Sequence, residues 1–186
     1  MLVRRRWHPN AMTVLGLLLN ILAAVLFAFG RFLSGGITVL IGGLCDLLDG
    51  EIARAAKNGT SFGALLDSTL DRYSEIFIAF GLAACFIKSQ DLITTAGLFF
   101  ALAGSLMVSY VRARAEGLGQ ECLVGLMQRP ERVVVIGVGA ILGAFLGRFV
   151  LTVAFWLIAL TANYTVLERL LHVRKNTRPV ELDPSQ

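Results

Sequence analysis

Residues 45–72 read CDLLDGEIARAAKNGTSFGALLDSTLDR. Four aspartates, Asp46, Asp49, Asp67 and Asp71, lie between two apolar runs. Asp46 and Asp49 are at i, i+3, and Gly50, Ala53 and Arg54 continue the same helical face. Asp67 and Asp71 are at i, i+4, with Gly63 one turn before Asp67. Lys57-Asn58-Gly59 marks a tight turn between the two segments. The stretch therefore reads as a helical hairpin that folds four carboxylates into one cleft. An ionised group within a membrane span costs at least ~2.5 kcal/mol on insertion scales, so these acids need a partner and a function.

The surrounding chain supports a membrane setting. Its 186 residues are 56% hydrophobic and 16% charged, with mean hydropathy +0.72. That charge is thin for the skin of a soluble domain. Each spanning helix needs roughly 20 apolar residues. The apolar runs fit six spans, near 12–30, 32–52, 63–87, 91–111, 131–147 and 149–171. Very short gaps at Gly30-Arg31 and Gly147-Arg148 require antiparallel neighbours.

Charge sets the orientation. With the N-terminus inside, the inner segments carry fourteen of the seventeen Lys and Arg residues, and the outer turns carry Arg31, Lys88 and Arg148. This positive-inside bias puts both termini in the cytoplasm. The expected architecture is an all-α membrane protein with six transmembrane helices, multi-pass in the cell (inner) membrane, its site facing the cytoplasm. Residues 1–175 form a single domain, and residues 176–186 form a flexible cytoplasmic tail. Residues 1–9 read as a short interfacial helix anchored by Trp7. The net charge of +4 clusters where anionic headgroups lie and does not signal nucleic acid. Cys45, Cys85 and Cys122 show no pairing or ligand spacing.

Four clustered carboxylates repel one another unless a cation neutralises them. Arg54 alone is insufficient. An all-oxygen donor set suits a hard divalent cation, Mg²⁺ or Mn²⁺. Two ions balance four negative charges and suit phosphoryl transfer. Gly50, Ala53 and Gly63 admit two readings of equal weight from spacing alone. They are either close helix packing of the small-xxx-small kind or a slot for a nucleotide.

The pattern Asp46-x2-Asp49-Gly50-x2-Ala53-Arg54-x8-Gly63-x3-Asp67-x3-Asp71 resembles, without departure, the signature of the CDP-alcohol phosphotransferase (CDP-alcohol phosphatidyltransferase) family. The resemblance implies that Asp46, Asp49 and Asp67 are metal ligands, and that Asp71 is both a ligand and the general base. It implies that Gly50, Ala53, Arg54 and Gly63 hold the CDP moiety, with Arg54 on its phosphate. Thr60 resembles a further nucleotide contact. Pro9-Asn10-Ala11-Met12-Thr13 looks like the family's Pro-Asn-x-x-Thr motif, which assigns Asn10 and Thr13 to the CDP-lipid. The implied reaction is attack of an acceptor hydroxyl on the β-phosphorus of CDP-diacylglycerol or an ether analogue, with CMP leaving. The family also implies a homodimer in contact with membrane lipids.

A second set of basic residues bears on the acceptor. Arg112, Arg129, Arg132 and Arg169 sit at or just within helix ends, where they can turn toward the acidic cleft. Arginine forks grip phosphate oxygens in pairs, so these four are candidate ligands of a phosphorylated polyol acceptor. Tyr110-Val111-Arg112-Ala113-Arg114-Ala115-Glu116 resembles the run of the phosphatidylinositol-phosphate synthase branch. That resemblance implies an inositol phosphate acceptor, with glycerol 3-phosphate next. Gln128-Arg129-Pro130-Glu131-Arg132 departs from the branch pattern at its first position, where Gln replaces Glu.

An ion or proton transporter also needs intramembrane carboxylates. Here the aspartates all lie toward one face, and no inverted repeat with broken helices is evident. A purely structural membrane protein accounts for the small-residue ladder Gly139, Gly143 and Gly147 but not for the aspartates. Glu75, one turn past Asp71, is near enough to orient Arg72 or the cluster and is left unassigned.

Overall fold

Among the described residues, an α-helix follows each of the six apolar runs. The computed structural model describes the backbone of residues 9–56 and 60–176 and the side chains of residues 12–47 and 60–176. The helices are α1 (Pro9–Ala28), α2 (Phe32–Ala56), α3 (Ser61–Lys88), α4 (Leu92–Gly117), α5 (Arg129–Leu146) and α6 (Phe149–Asn176). No strand occurs among the described residues. The interfacial helix expected at residues 1–9 and the expected tail lie, but for their inner ends, outside the described residues.

The helix ends follow local chemistry. After α1, Gly30 (φ 72°) donates to Phe27 O and Arg31 to Leu26 O, the paired bonds of a Schellman stop. The same pair of bonds ends α4 at Gly119 (φ 74°). Thr60 caps α3, its Oγ1 accepting from Gly63 N at 3.0 Å. Asp91 caps α4 by accepting from Thr94 N at 3.0 Å. Pro130 in the first turn of α5 costs no helical hydrogen bond there. The helix α4 runs past residue 111, where the apolar run ends, and Arg112 Nε meets Glu116 Oε1 at 2.8 Å on its final turns.

The helix α4 packs most extensively on α6; α1 packs on α2 and α3, and α2 on α5. Two crossings are very close. A Cβ on Gly81 of α3 would overlap the backbone of Ala24 on α1. A Cβ on Gly36 of α2 would stand 2.7 Å from Gly137 O on α5. The Gly139 and Gly143 positions face Ala154 and Leu151 of α6, so this ladder serves packing within the bundle, and Gly147 lies beyond it as the C-cap of α5.

The apolar core is concentrated away from the aspartates. Phe27, Phe32, Leu82, Phe86, Leu151 and Phe155 are buried there. Phe32 stacks on Phe86 at 5.8 Å, and Phe86 meets Phe155 edge-on at 6.2 Å. Large apolar side chains also cover the outside, including Leu18, Phe80, Phe100 and Leu160. A soluble protein rarely exposes so much contiguous apolar surface. Among the described residues, α4 and α6 are long and apolar enough to cross a membrane, and Met12–Ala28 and Phe32–Leu47 are apolar as well. The helices α3 and α5 fall short of that measure for a physical reason. Each carries charged side chains in its inner turns: Asp67, Asp71, Arg72 and Glu75 on α3, and Arg129, Glu131 and Arg132 on α5.

Candidate active site

The aspartate-bearing ends of α2 and α3 meet the first turn of α5. Asp46 lies on α2 and Asp71 on α3, and both are largely shielded, with side chains 10% and 14% exposed. Arg129, the first residue of α5, joins them: one Nη2 nitrogen lies 2.7 Å from Asp46 Oδ2 and 2.7 Å from Asp71 Oδ1. Two carboxylates from different helices thus converge on one cationic atom. Asp67 is exposed one turn before Asp71 and close enough to interact with its charge. Arg72 Nη2 stands 3.7 Å from Asp71 Oδ2. Asp49, Gly50, Ala53 and Arg54 lie on the helical backbone of α2, which continues to Ala56, but their side chains fall outside the described residues, as does that of Asn10. Thr13 is buried on α1, and Gly63 and Thr60 form the start of α3.

Asp46 also lies close against α1. A Cβ on Gly16 would overlap Asp46 Oδ1. The glycine lets the carboxylate reach past the α1 backbone. Nothing in the sequence around Gly16 signals this contact, because it depends on how α1 crosses α2.

The four arginines expected near an acceptor take different places. Arg129 is on the aspartates. Arg132, one turn along α5, is 2% exposed, and its Nη2 lies 2.7 Å from Glu75 Oε1. Its Nη1 donates to Met127 O at 3.2 Å. Arg169, also 2% exposed, donates from Nε to Val124 O at 2.8 Å and from Nη1 to Val108 O at 2.5 Å. Arg112 is half-exposed and pairs with Glu116. Arg132 and Arg169 therefore tie the connection between α4 and α5 to the bundle through its carbonyls. Glu75 pairs with Arg132 rather than with Arg72. Its spacing of four from Asp71 was a legible signal, since it continues the acidic face of α3, but its partner was not.

Between α2 and α5 runs a cavity of about 370 Å³. Asp46 and Arg129 line it together with apolar Leu40, Leu44, Val133 and Val134.

The donor set fits a hard divalent cation. Asp46 and Asp71 converge on one cationic atom from two helices, and carboxylate oxygens are the donors such an ion takes. Among the described residues, no group of three acidic, His or Cys side chains is assembled. Asp49, the position that would extend the Asp46 face, has its side chain outside that set.

Residues 6–167 match the family model of CDP-alcohol phosphatidyltransferases. The chain belongs to that family. Among similar CDP-alcohol phosphatidyltransferases is the archaetidylinositol phosphate synthase of Methanothermobacter thermautotrophicus. It is 38% identical over 161 residues, which cover 87% of this chain and 80% of the relative. The phosphatidylinositol phosphate synthase of Mycobacteroides abscessus is 36% identical over 188 residues, covering 99% of this chain and 85% of the relative. A crystal structure of the Mycobacterium tuberculosis phosphatidylinositol phosphate synthase with CDP-DAG bound superimposes with a TM-score of 0.84 at 33% identity, covering 100% of this chain and 94% of that one. A second structure of that enzyme, in complex with manganese and citrate, gives the same TM-score at 32% identity, covering 97% and 88%. The chain is thus a CDP-alcohol phosphatidyltransferase by family. All four aspartates fall within the family match, and Arg169 lies just past it.

Proposed function

We propose that this chain transfers the phosphatidyl group of CDP-diacylglycerol, or the corresponding group of an ether analogue, to a hydroxyl of inositol phosphate, releasing CMP. The observation that carries the reading is Arg129 set directly between Asp46 and Asp71, with Arg132 one turn behind it. Guanidinium forks grip phosphate oxygens in pairs. An acceptor that itself bears phosphate uses such groups beside the metal carboxylates; serine or free inositol does not. The names and the whole-chain likeness of the synthases above support the same acceptor.

In this reading Asp46, Asp49, Asp67 and Asp71 hold Mg²⁺ or Mn²⁺, two ions to the site. When bound, the metal stabilises charge on the transferring and leaving phosphates. Asp71 takes the proton from the acceptor hydroxyl. The acceptor oxygen bonds to the β-phosphorus as the bond to the CMP oxygen breaks, leaving a phosphodiester in the lipid. Gly50, Ala53, Arg54, Thr60 and Gly63 hold the CDP moiety, and Asn10 and Thr13 complete its lipid side. The α2–α5 cavity suits the donor's apolar tails, since it is apolar along its walls and charged at the aspartate end. Most of the acceleration comes from positioning and charge stabilisation.

The proposal includes six spans in the inner membrane, both termini and the site cytoplasmic, and a homodimer. Support for the orientation comes from the placement of Arg31, Lys88 and Arg148 at the end of the bundle opposite the aspartates.

A CMP-release assay tests the reading. Purified protein with CDP-diacylglycerol and Mg²⁺ is given inositol phosphate, glycerol 3-phosphate, inositol and serine in turn. Release with inositol phosphate well above the other three is expected. Preference for glycerol 3-phosphate would reassign the acceptor, and release with none would reject the reading.

A further inference from the structure

The aspartate face of α3 does not stop at Asp71. Glu75 stands one turn further along, continuing the series Asp67, Asp71, Glu75 at intervals of four. Opposite it, α5 presents Arg129 and Arg132 at an interval of three. Two rungs therefore cross from α3 to α5: Asp71 to Arg129 and Glu75 to Arg132, each 2.7 Å long. The main packing of the two helices lies elsewhere: α3 packs on α1 and α4, and α5 on α2 and α6.

The rungs differ in kind. The first is built from groups assigned to metal and acceptor, so its contacts must change as ligands arrive. The second joins Arg132 to Glu75, an acid to which no ligand has been assigned. It is also the more deeply enclosed: the Arg132 side chain is 3% exposed and that of Glu75 13%. Taking two ions out of water is costly, and an apolar pair of similar volume is often as stable. A strut made for stability alone has cheaper solutions.

Arg132 reaches backward as well as across. Its second terminal nitrogen holds Met127 O, two residues before Arg129. Fixing Arg132 thus fixes the segment that leads into the first turn of α5. We infer that Glu75 is a positioning residue for acceptor binding: by fixing Arg132 it sets where Arg129 stands beside Asp71. This rests on the phosphorylated-acceptor reading above.

The test is steady-state kinetics on the full chain in nanodiscs with Mg²⁺, for wild type, Glu75→Gln and Glu75→Asp. Wild type fixes which phosphorylated acceptor is used, inositol phosphate or glycerol 3-phosphate. If neither supports turnover, the functional reading and this inference fall together. If one does, Glu75→Gln should raise KM for that acceptor by tenfold or more, with KM for CDP-diacylglycerol within twofold. Glu75→Asp, which keeps the charge but shortens the reach, should lie between the two. Should Glu75→Gln fail to fold, Glu75→Asp alone decides, and must still raise the acceptor KM selectively. An unchanged acceptor KM, or equal rises in both KM values tracking a lowered thermal midpoint, overturns the inference while leaving the functional reading intact.

Discussion

Gly16 of α1 lies so close to Asp46 of α2 that a Cβ at position 16 would overlap Asp46 Oδ1. The obstacle is the tip of a side chain, so the bundle can accept Gly16→Ala by turning Asp46 aside. The consequence falls on chemistry. Misplacing a reacting group by about 1 Å can cost on the order of 100-fold. Gly16→Ala should lower kcat by roughly 10- to 100-fold, with the thermal midpoint near that of wild type. Paired activity and melting measurements check this, and a fully active variant would show that Asp46 tolerates the shift.

Asp71 carries the proposed proton transfer. General-base catalysis contributes about 10²–10⁴-fold. Asp71→Asn should therefore abolish measurable CMP release while CDP-diacylglycerol binding, followed by isothermal titration, is largely retained. Normal turnover would remove Asp71 from the role of base.

Arg129 pairs with two largely shielded carboxylates, its own side chain being 20% exposed. Removing one partner of a buried ion pair costs roughly 3–5 kcal/mol because the remaining charges are left uncompensated. Arg129→Gln should melt well below wild type in a chelator. Adding Mg²⁺ should raise its midpoint more than that of wild type, because the added cation supplies the missing charge. Equal Mg²⁺ shifts in the two proteins would argue against a shared cation site on Asp46 and Asp71.

Gly81 is tested through stability alone. A side chain there meets the backbone of Ala24, which cannot rotate away. Overpacking of this kind costs typically 1–3 kcal/mol, occasionally more. Gly81→Val should lower the thermal midpoint clearly and reduce specific activity only in proportion to the unfolded fraction. A midpoint equal to that of wild type would show that α1 and α3 can separate at little cost.

The sequence pointed to Asp46 and Asp71 as neighbours because the acidic spacing is local to two helices, and both lie on Arg129. Asp67 and Asp71 share a face by spacing, and so do Asp46 and Asp49. Buried acids in an apolar chain have few explanations. The partners of the arginines were not legible in the same way. Arg129, Arg132 and Arg169 look alike as basic residues at helix ends, yet one bridges two aspartates, one pairs with Glu75 and one holds two backbone carbonyls. Spacing along one helix says nothing of which neighbour a long side chain reaches.

The sequence by itself determined where the described helices run and that Asp46 lies near the end of α2 and Asp67 and Asp71 in the first turns of α3. Each of these follows from apolar run length and from intervals of three and four along a chain. Only the tertiary structure decided that α5 brings Arg129 onto Asp46 and Asp71, that Glu75 faces Arg132, and that Gly16 makes room for a carboxylate. Those relations depend on helix crossings between segments far apart in the chain, which side-chain shape and close packing fix jointly and no single segment encodes.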